Sequence, residues 1–204
     1  MRTIELYKFE ELDENAKEKA FDTAREYITN NDMYNECLNS DLETELYYNL
    51  CDDFPFLDNI KIRFSLNYCQ GDGVSFEGEI IGLDNLMELA KKVYNDNIPR
   101  KIKRIIPYLY SVKFEMMDFH YCHAYTVETF VTDNYNDCGH CRFGKLCAQF
   151  EKDVNNYRVD YCKKLEKIGY DFIAEYENEE NIKRYINSML LEFYKDGNVY
   201  KGGY

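Results

Sequence analysis

The stretch FSLNYCQGDGVSFEGEII, residues 64–81, sets two alternating segments on either side of Gln70-Gly71-Asp72-Gly73. Alternation of apolar and polar residues puts successive side chains on opposite faces of a β-strand. Glycines adopt positive φ at low cost, which suits a tight connection between two such strands. The stretch therefore predicts a β-hairpin in which Tyr68 belongs to the core and Ser75 lies on the polar face.

The spacing of apolar residues changes to the helical period on both sides of this hairpin. Apolar residues recur every three or four positions at residues 12–28, 38–51, 86–93, 150–176 and 182–193. Asp13 and Asn178 stand where helix N-caps are expected. Alternation returns at residues 112–116, and HYCHAYTVETFV, residues 120–131, is predicted as the partner strand. The sequence thus predicts a single α+β domain over residues 1–204. Its small antiparallel sheet comes from two β-hairpins packed with amphipathic helices, with long helices towards the C-terminus.

The total charge is strongly negative. The chain of 204 residues has 38 acidic and 25 basic side chains, a net charge of -13, and a pI near 4.7. Such a field repels nucleic acids and anionic membranes and attracts a basic protein surface. Solubility alone is the ordinary explanation of acidic composition. We expect neither a nucleic acid nor a membrane as direct partner.

The sequence also indicates where the protein resides. No apolar run approaches the roughly 18 residues that span a bilayer. Glu and Lys interrupt every apolar run of residues 1–21, so this segment does not have the pattern of a signal peptide. We therefore expect a cytoplasmic protein of a bacterial host cell. Its eight cysteines are then expected as thiols or metal ligands rather than disulfides.

A polar, cysteine-rich loop is predicted at about residues 134–148. Cys138-Gly-His-Cys141 has the spacing at which two thiolates reach one zinc ion, and Cys147 offers a third ligand. The fourth ligand is left open among His140, His123, Cys122 and Cys162. Reduced thiols without metal are the alternative. If zinc is bound, its expected role is structural, because no Glu-His general-base pattern lies nearby.

Two further positions carry candidate chemistry. On the predicted strand, His120 and Cys122 point to one face and His123 to the other. His123 fits either a general base or a hydrogen-bonded structural histidine. Asp72 fits three roles: it binds a cation or donor, it stabilises its own loop through backbone amides, or it contacts a partner at an exposed hairpin tip.

Several phrases together resemble a family of uncharacterised proteins from phages, prophages and other mobile elements. They are ELDENAKEKAF at residues 11–21, YCQGDGVSFEG at residues 68–78, the segment Tyr121–Tyr125, and residues 165–200. The family turn reads Ser-Gln-Gly-Asp-Gly, and Cys69 replaces its serine here. Residues 137–147 lie outside the pattern. Some relatives have been labelled antitoxins.

The resemblance implies an accessory protein that acts on host machinery, host defence nucleases such as CRISPR effectors included. An acidic inhibitor of this kind would occupy a basic nucleic-acid groove, with carboxylates in place of phosphates, by stoichiometric association and without catalytic residues. The expected partner is a host nucleic-acid-binding nuclease. The candidate partner-binding residues are Asp72, Asp41, Glu43, Glu45, Glu177, Glu179 and Glu180.

Three alternatives stay open at this point. The acidic runs also fit ordinary solvated helix faces. An antitoxin or regulatory binding protein predicts a neighbouring toxin. A zinc- or His-dependent enzyme acting on a nucleotide or small molecule predicts that His123 and Asp72 or the cysteines converge in one pocket.

Overall fold

The computed structural model describes residues 4–117, 120–133 and 142–201, and its α+β class is the predicted one. The elements in chain order are α1 (Glu14–Thr29), α2 (Asp32–Asp53), β1 (Asp58–Ser65), β2 (Gly73–Ile81), α3 (Leu83–Val93), α4 (Arg100–Ile105), β3 (Leu109–Met116), β4 (Val127–Asp133), α5 (Arg142–Tyr176) and α6 (Glu179–Ser188). The chain divides into two compact units, one of Met1–Leu42 with Asp171–Tyr204 and a second of Glu43–Tyr170. The prediction of a single domain stays a prediction.

The second unit contains a four-stranded antiparallel sheet in the order β1-β2-β3-β4. The strands β1 and β2 form one predicted hairpin, and β3 and β4 form the other. On β3, Val112 and Phe114 are buried, whereas Lys113 and Glu115 are exposed. One face of this strand therefore joins the core and the other remains polar, as alternation predicts.

Aromatic rings fill the core beneath the sheet. Phe54 meets Tyr161 of α5 edge to face at 4.8 Å between ring centroids, and Phe76 meets Phe114 at 5.5 Å. Edge-to-face pairs contribute about 0.5–1.5 kcal/mol beyond the burial of their surface. The predicted apolar spacing of α5 is confirmed, because it places Phe150, Val154, Tyr161 and Leu165 on one buried face.

In the first unit, both predicted helix caps are confirmed. Asp13 Oδ1 accepts a hydrogen bond from the Ala16 N–H at 2.9 Å and begins α1. Asn178 Oδ1 accepts one from the Asn181 N–H at 2.8 Å and begins α6. Each cap satisfies an amide that has no partner within its helix.

The prediction that α6 continues to Phe193 was wrong. The helix ends at Ser188, and Leu190 adopts φ +53°, which a continuing helix does not allow. Phe193 instead exchanges two backbone hydrogen bonds with Tyr7, each 2.9 Å long. The last apolar residues of the pattern thus belong to an extended segment.

Three predictions about the second unit were also wrong. Ser75 is fully buried, because Ala124–Thr126 packs against β2 on the face that was expected to be polar. Strand β4 begins at Val127, so His120, Cys122 and His123 do not lie on a strand. Residues 142–148 of the expected cysteine-rich loop belong to α5, and residues 134–141 lie outside the described residues.

Candidate functional site

The turn between β1 and β2 is built around the carboxylate of Asp72. Its Oδ1 accepts a hydrogen bond from Ser65 Oγ at 2.6 Å, and its Oδ2 accepts from the amides of Asn67 at 2.6 Å and Cys69 at 2.7 Å. Burial raises the pKa of Asp72, but these hydrogen bonds outweigh it and hold the pKa below its usual value. Of the three roles open to Asp72, the geometry supports stabilisation of its own loop.

This carboxylate holds Tyr68 in an unusual conformation. Tyr68 has φ +56°, although its side chain is 78% exposed. Its ring stacks on Tyr170 of α5 at 4.6 Å. A left-handed backbone costs a non-glycine residue about 1–2 kcal/mol, and the small burial of the ring offsets little of it. The prediction that Tyr68 belongs to the core was wrong, because the strand ends at Ser65, before the alternation does.

The two glycines of the turn are required by a second segment that packs against it. The Gly71 carbonyl accepts a hydrogen bond from the Cys122 N–H at 3.4 Å. A Cβ on Gly71 would lie 2.7 Å from Tyr121 Cε1, and nearer still to Cδ1. A Cβ on Gly73 would lie 2.9 Å from His123 Cα. Glycine is therefore needed at both positions for close approach as well as for positive φ.

His123 caps the short 3-10 helix Ala124–Thr126. Its Nδ1 accepts a hydrogen bond from the Tyr125 N–H at 3.2 Å. Its ring stacks against Tyr121, with 5.6 Å between centroids. Because Nδ1 accepts, the neutral imidazole carries its proton on Nε2, which then donates rather than accepts. The geometry supports the structural role for His123 over the general base.

A buried arginine fixes this segment to α5. Arg158 is 1% exposed, its Nη1 donates to the Ala124 carbonyl at 2.8 Å, and its Nη2 donates to the Val127 carbonyl at 2.6 Å. Burial lowers the pKa of Arg158, and no carboxylate of the described residues forms a salt bridge with it. Sequence reasoning missed Arg158. The signal was its position four residues after Val154, on the apolar face of a helix.

These contacts present three tyrosines to solvent on one part of the second unit. We call Tyr68, Tyr121 and Tyr125 the tyrosine surface; they are 78%, 47% and 70% exposed. Tyr170 supports the ring of Tyr68, and His123 supports that of Tyr121. Exposed tyrosines combine an apolar face with a hydrogen-bonding hydroxyl and are enriched where proteins bind proteins.

A family comparison places this geometry within a known domain. The model described as Domain of unknown function (DUF8835) matches residues 49–196, which is more than half of the chain. The chain belongs to the DUF8835 family. No curated protein and no solved structure matches the chain. The DUF8835 match includes the turn at Asp72, both hairpins and the tyrosine surface. The relation to mobile-element proteins stays a prediction.

Helix α2, which begins before the DUF8835 match, has a run of acidic side chains with little compensation by cations. Between residues 32 and 53 it contains acidic side chains and neither Lys nor Arg. The acidic residues are Asp32, Glu36, Asp41, Glu43, Glu45, Asp52 and Asp53. Within the described part of the chain, only Asp53 of this set forms a salt bridge, with Lys164 at 2.6 Å. Asp41 and Glu43 are exposed, whereas Glu45 is half-buried and accepts a hydrogen bond from Asn49 Nδ2 at 2.8 Å.

The acidic run at the start of α6 is compensated by its own cations. Glu179 forms a salt bridge with Lys183, and Glu180 forms one with Arg184 at 3.5 Å. The Glu177 carbonyl accepts a hydrogen bond from Arg25 Nη2 at 2.7 Å, so a third cation lies beside this run. Glu177, Glu179 and Glu180 therefore present less net negative charge than α2.

The predicted metal ligands Cys138, His140 and Cys141 lie outside the described residues. Cys147 is buried on α5. Glu166 follows it by 19 residues on the same helix, which at about 1.5 Å per residue separates their Cα atoms by about 28 Å. A Cβ on Gly73 would lie 3.5 Å from Glu166 Oε2 and 2.9 Å from His123 Cα, so His123 lies near Glu166.

This spacing separates Cys147 from most candidates for a fourth ligand. His123 Cα lies within about 11 Å of Glu166 Cα, and hence at least about 17 Å from Cys147 Cα. Two side chains that share a zinc ion span no more than about 12 Å. Neither His123 nor the adjacent Cys122 can therefore share an ion with Cys147.

Cys162 is separated from Cys147 for the same reason. It follows Cys147 by 15 residues on α5, a rise of about 22 Å. It is fully buried, and burial raises its pKa to about 11. No group of three or more potential metal ligands occurs in residues 4–117, 120–133 and 142–201. His140 remains the candidate fourth ligand, and the zinc site stays a prediction.

Helix length and hydropathy complete the description of the surface. Among the residues that the structure describes, no helix combines the length and the apolar character that a membrane span requires.

Proposed function

We propose that this DUF8835 protein inhibits a host defence nuclease, with a CRISPR effector as the expected target, by stoichiometric binding of its acidic surface to a basic nucleic-acid groove. The observation that carries the proposal is the uncompensated charge of α2. A helix with carboxylates on its exposed sides and no cation of its own presents a negative field that a basic groove complements. The resemblance to mobile-element proteins supplies the class of target, in the cytoplasm of a bacterial host.

The arrangement of side chains on α2 supports an interface rather than a merely solvated helix. Leu42, Leu46 and Leu50 form the buried stripe. At about 100° per residue, Glu45, Tyr48 and Asp52 project along one flank of that stripe. Tyr48 is 63% exposed, so this flank combines carboxylates with an accessible aromatic ring. Aromatic residues within a charged surface are typical of binding sites.

The test compares two triple charge reversals. Glu43→Lys/Glu45→Lys/Asp52→Lys changes α2, and Glu18→Lys/Asp22→Lys/Glu26→Lys changes exposed positions of α1. Each replacement of an acidic residue by lysine raises the net charge by two, so the three replacements change the net charge of either variant from -13 to -7. Inhibition of target cleavage by a guide-loaded CRISPR nuclease is measured against the molar ratio of protein to nuclease, at several salt concentrations.

The wild type and the α1 variant are expected to inhibit to saturation at a fixed molar ratio. The α2 variant is expected to lose inhibition at equal concentration, and wild-type inhibition should weaken as salt rises, because exposed charges are screened. Equal loss in both variants would show that only total charge matters. Full inhibition by far fewer molecules of the protein than of the nuclease would indicate turnover and overturn the proposal.

The zinc part of the proposal rests on sequence alone. A structural zinc ion is proposed at Cys138, Cys141 and Cys147 with His140. The His123 segment packs against the Asp72 turn, as the enzyme alternative requires, but the Asp72 carboxylate and His123 Nδ1 accept local hydrogen bonds. The antitoxin alternative has no contact among the described residues in its favour. The antitoxin and enzyme alternatives differ from the proposal in requiring a cognate toxin and catalytic turnover, respectively.

A further inference from the structure

We infer that the tyrosine surface is the part of the protein that binds arginine side chains of its partner. This inference rests on the proposed function for the cationic nature of that partner. It concerns Tyr68, Tyr121 and Tyr125 rather than the carboxylates of α2, and it assigns the partner's chemistry: guanidinium groups on a protein surface.

The backbone of Tyr68 is held in an unfavourable conformation. A residue at φ +56° that is 78% exposed gains little from burial of its ring, and glycine or asparagine would fit the same conformation at lower cost. Three hydrogen bonds to Asp72 nevertheless hold the loop in this form. Unfavourable backbone conformations that the surroundings maintain are concentrated at binding and catalytic sites. The exposed ring is thus what the loop presents.

Two rings of the tyrosine surface are preorganised by stacking on neighbouring rings. Tyr68 lies against Tyr170 with ring planes 27° apart, and Tyr121 lies against His123 with planes 14° apart. When a cation packs on the outer faces of these supported rings, the tyrosines lose little side-chain entropy, because the protein has already restricted their rotamers. Residues with these properties contribute a large share of binding energy in protein interfaces.

The charge of the protein favours a cationic partner. The protein has a net charge of -13, which disfavours a polynucleotide as occupant. Glu166 lies beside the surface, near His123, and adds a carboxylate. Lys163 lies beside Tyr125, but it is paired with Asp160 at 3.4 Å. A planar guanidinium stacks on a tyrosine face and reaches a carboxylate at the same time, whereas a hydrated ammonium does so less well.

The experiment compares nona-arginine with nona-lysine, two peptides of equal formal charge, by isothermal titration calorimetry. Wild type is compared with Tyr68→Ala/Tyr125→Ala and with a control, Tyr108→Ala/Tyr110→Ala, which removes two exposed tyrosines that belong neither to α2 nor to the tyrosine surface. Nona-arginine is expected to bind more tightly than nona-lysine to wild type and control, by up to about five- to thirty-fold, the limit set by two cation–π contacts that lysine does not make. The preference should disappear in Tyr68→Ala/Tyr125→Ala and persist in Tyr68→Phe/Tyr125→Phe, which keeps both rings.

Circular dichroism establishes that each variant is folded. If the double variant does not fold, Tyr125→Ala alone serves, since Tyr125 has an ordinary backbone and should lose part of the preference. Equal affinity of wild type for both peptides, or an undiminished preference in folded Tyr68→Ala/Tyr125→Ala, overturns the inference. Tighter binding of oligo-dT, or self-association that the double variant abolishes, assigns the surface another occupant and also overturns it.

Failure of the proposed function gives a different result. Loss of the α2 charges should weaken both peptides by a similar factor and leave their ratio unchanged, because it acts through the general field. The ratio therefore reports on the tyrosine surface, and the common factor reports on the acidic helix.

Discussion

Replacing Gly71 with alanine tests whether the turn and the Tyr121–Tyr125 segment are fitted to each other. The new Cβ enters the Tyr121 ring, so the ring must move away. The backbone at position 71 has φ +94° and is strained by any side chain. Gly82→Ala is the matched control, because Gly82 has φ +95° and nothing lies within 4 Å of its added Cβ.

The expected magnitude follows from three contributions. Positive φ costs about 1–2 kcal/mol, and loss of the Tyr121 stack on His123 costs about 0.5–1.5 kcal/mol. Alanine restricts the unfolded chain, which returns about 0.4–1 kcal/mol. The net loss of unfolding free energy for Gly71→Ala is therefore about 2 kcal/mol, and Gly82→Ala, without the ring clash, should lose about 1 kcal/mol less.

Urea unfolding of Gly71→Ala, Tyr121→Ala and the double variant isolates the contact. Once Tyr121 is alanine, the added Cβ meets no ring, so the loss of the stack is counted once in the double variant and twice in the sum of the single variants. The double variant should be less destabilised than that sum by about 0.5–1.5 kcal/mol. Additivity within about 0.3–0.5 kcal/mol, or equal losses for Gly71→Ala and Gly82→Ala, would refute the reasoning.

Three further predictions follow from the same contacts. Asp72→Asn should lower the free energy of unfolding by about 1–3 kcal/mol. Because the pKa of Asp72 is depressed in the folded protein, its stabilisation is present above the unfolded pKa and is lost as pH falls through the folded pKa. Urea unfolding at a series of acidic pH values should therefore show a smaller loss of stability with falling pH in the variant than in wild type, and an unchanged loss contradicts this prediction. Arg158→Lys should cost about 1.5–3 kcal/mol, since lysine lacks the planar fork whose two nitrogens each donate to one carbonyl, and urea unfolding that shows no loss argues against the clamp. Elemental analysis should find zinc in wild type and in Cys37→Ser but not in Cys147→Ser, and a metal-free wild type whose melting temperature a chelator leaves unchanged ends the zinc proposal.

Periodicity predicted the elements that bury one regular face. The two hairpins, α1 with its cap at Asp13 and the long α5 all follow from spacing within a few consecutive turns or strand residues. Spacing says which residues share a face, but not what covers that face. Ser75 was therefore expected at a polar surface, although a segment some fifty residues later in the chain covers it.

The candidate site was only half predictable for the same reason. Asp72 and the glycines stand out locally, because turn chemistry is local. The loop that Asp72 holds and the stack on Tyr170 together keep Tyr68 outside the core. No pattern in the sequence near position 68 indicates the stack on Tyr170. Arg158 joins an apolar helix face to carbonyls of a distant segment, a pairing that one sequence does not reveal.

The structure gives a physical reason for two separate phrases of the sequence to occur together. The hydrogen bonds of Asp72 that hold the turn are local, whereas the Tyr121–Tyr125 segment packs on the turn at a place where position 71 has no side chain. A side chain at position 71 stays strained by φ +94°, but it no longer meets an aromatic ring when position 121 is small. Among DUF8835 proteins we therefore expect a residue other than glycine at position 71 to accompany loss of the aromatic ring at position 121. An alignment in which bulky residues occupy both positions would contradict the packing described for this turn.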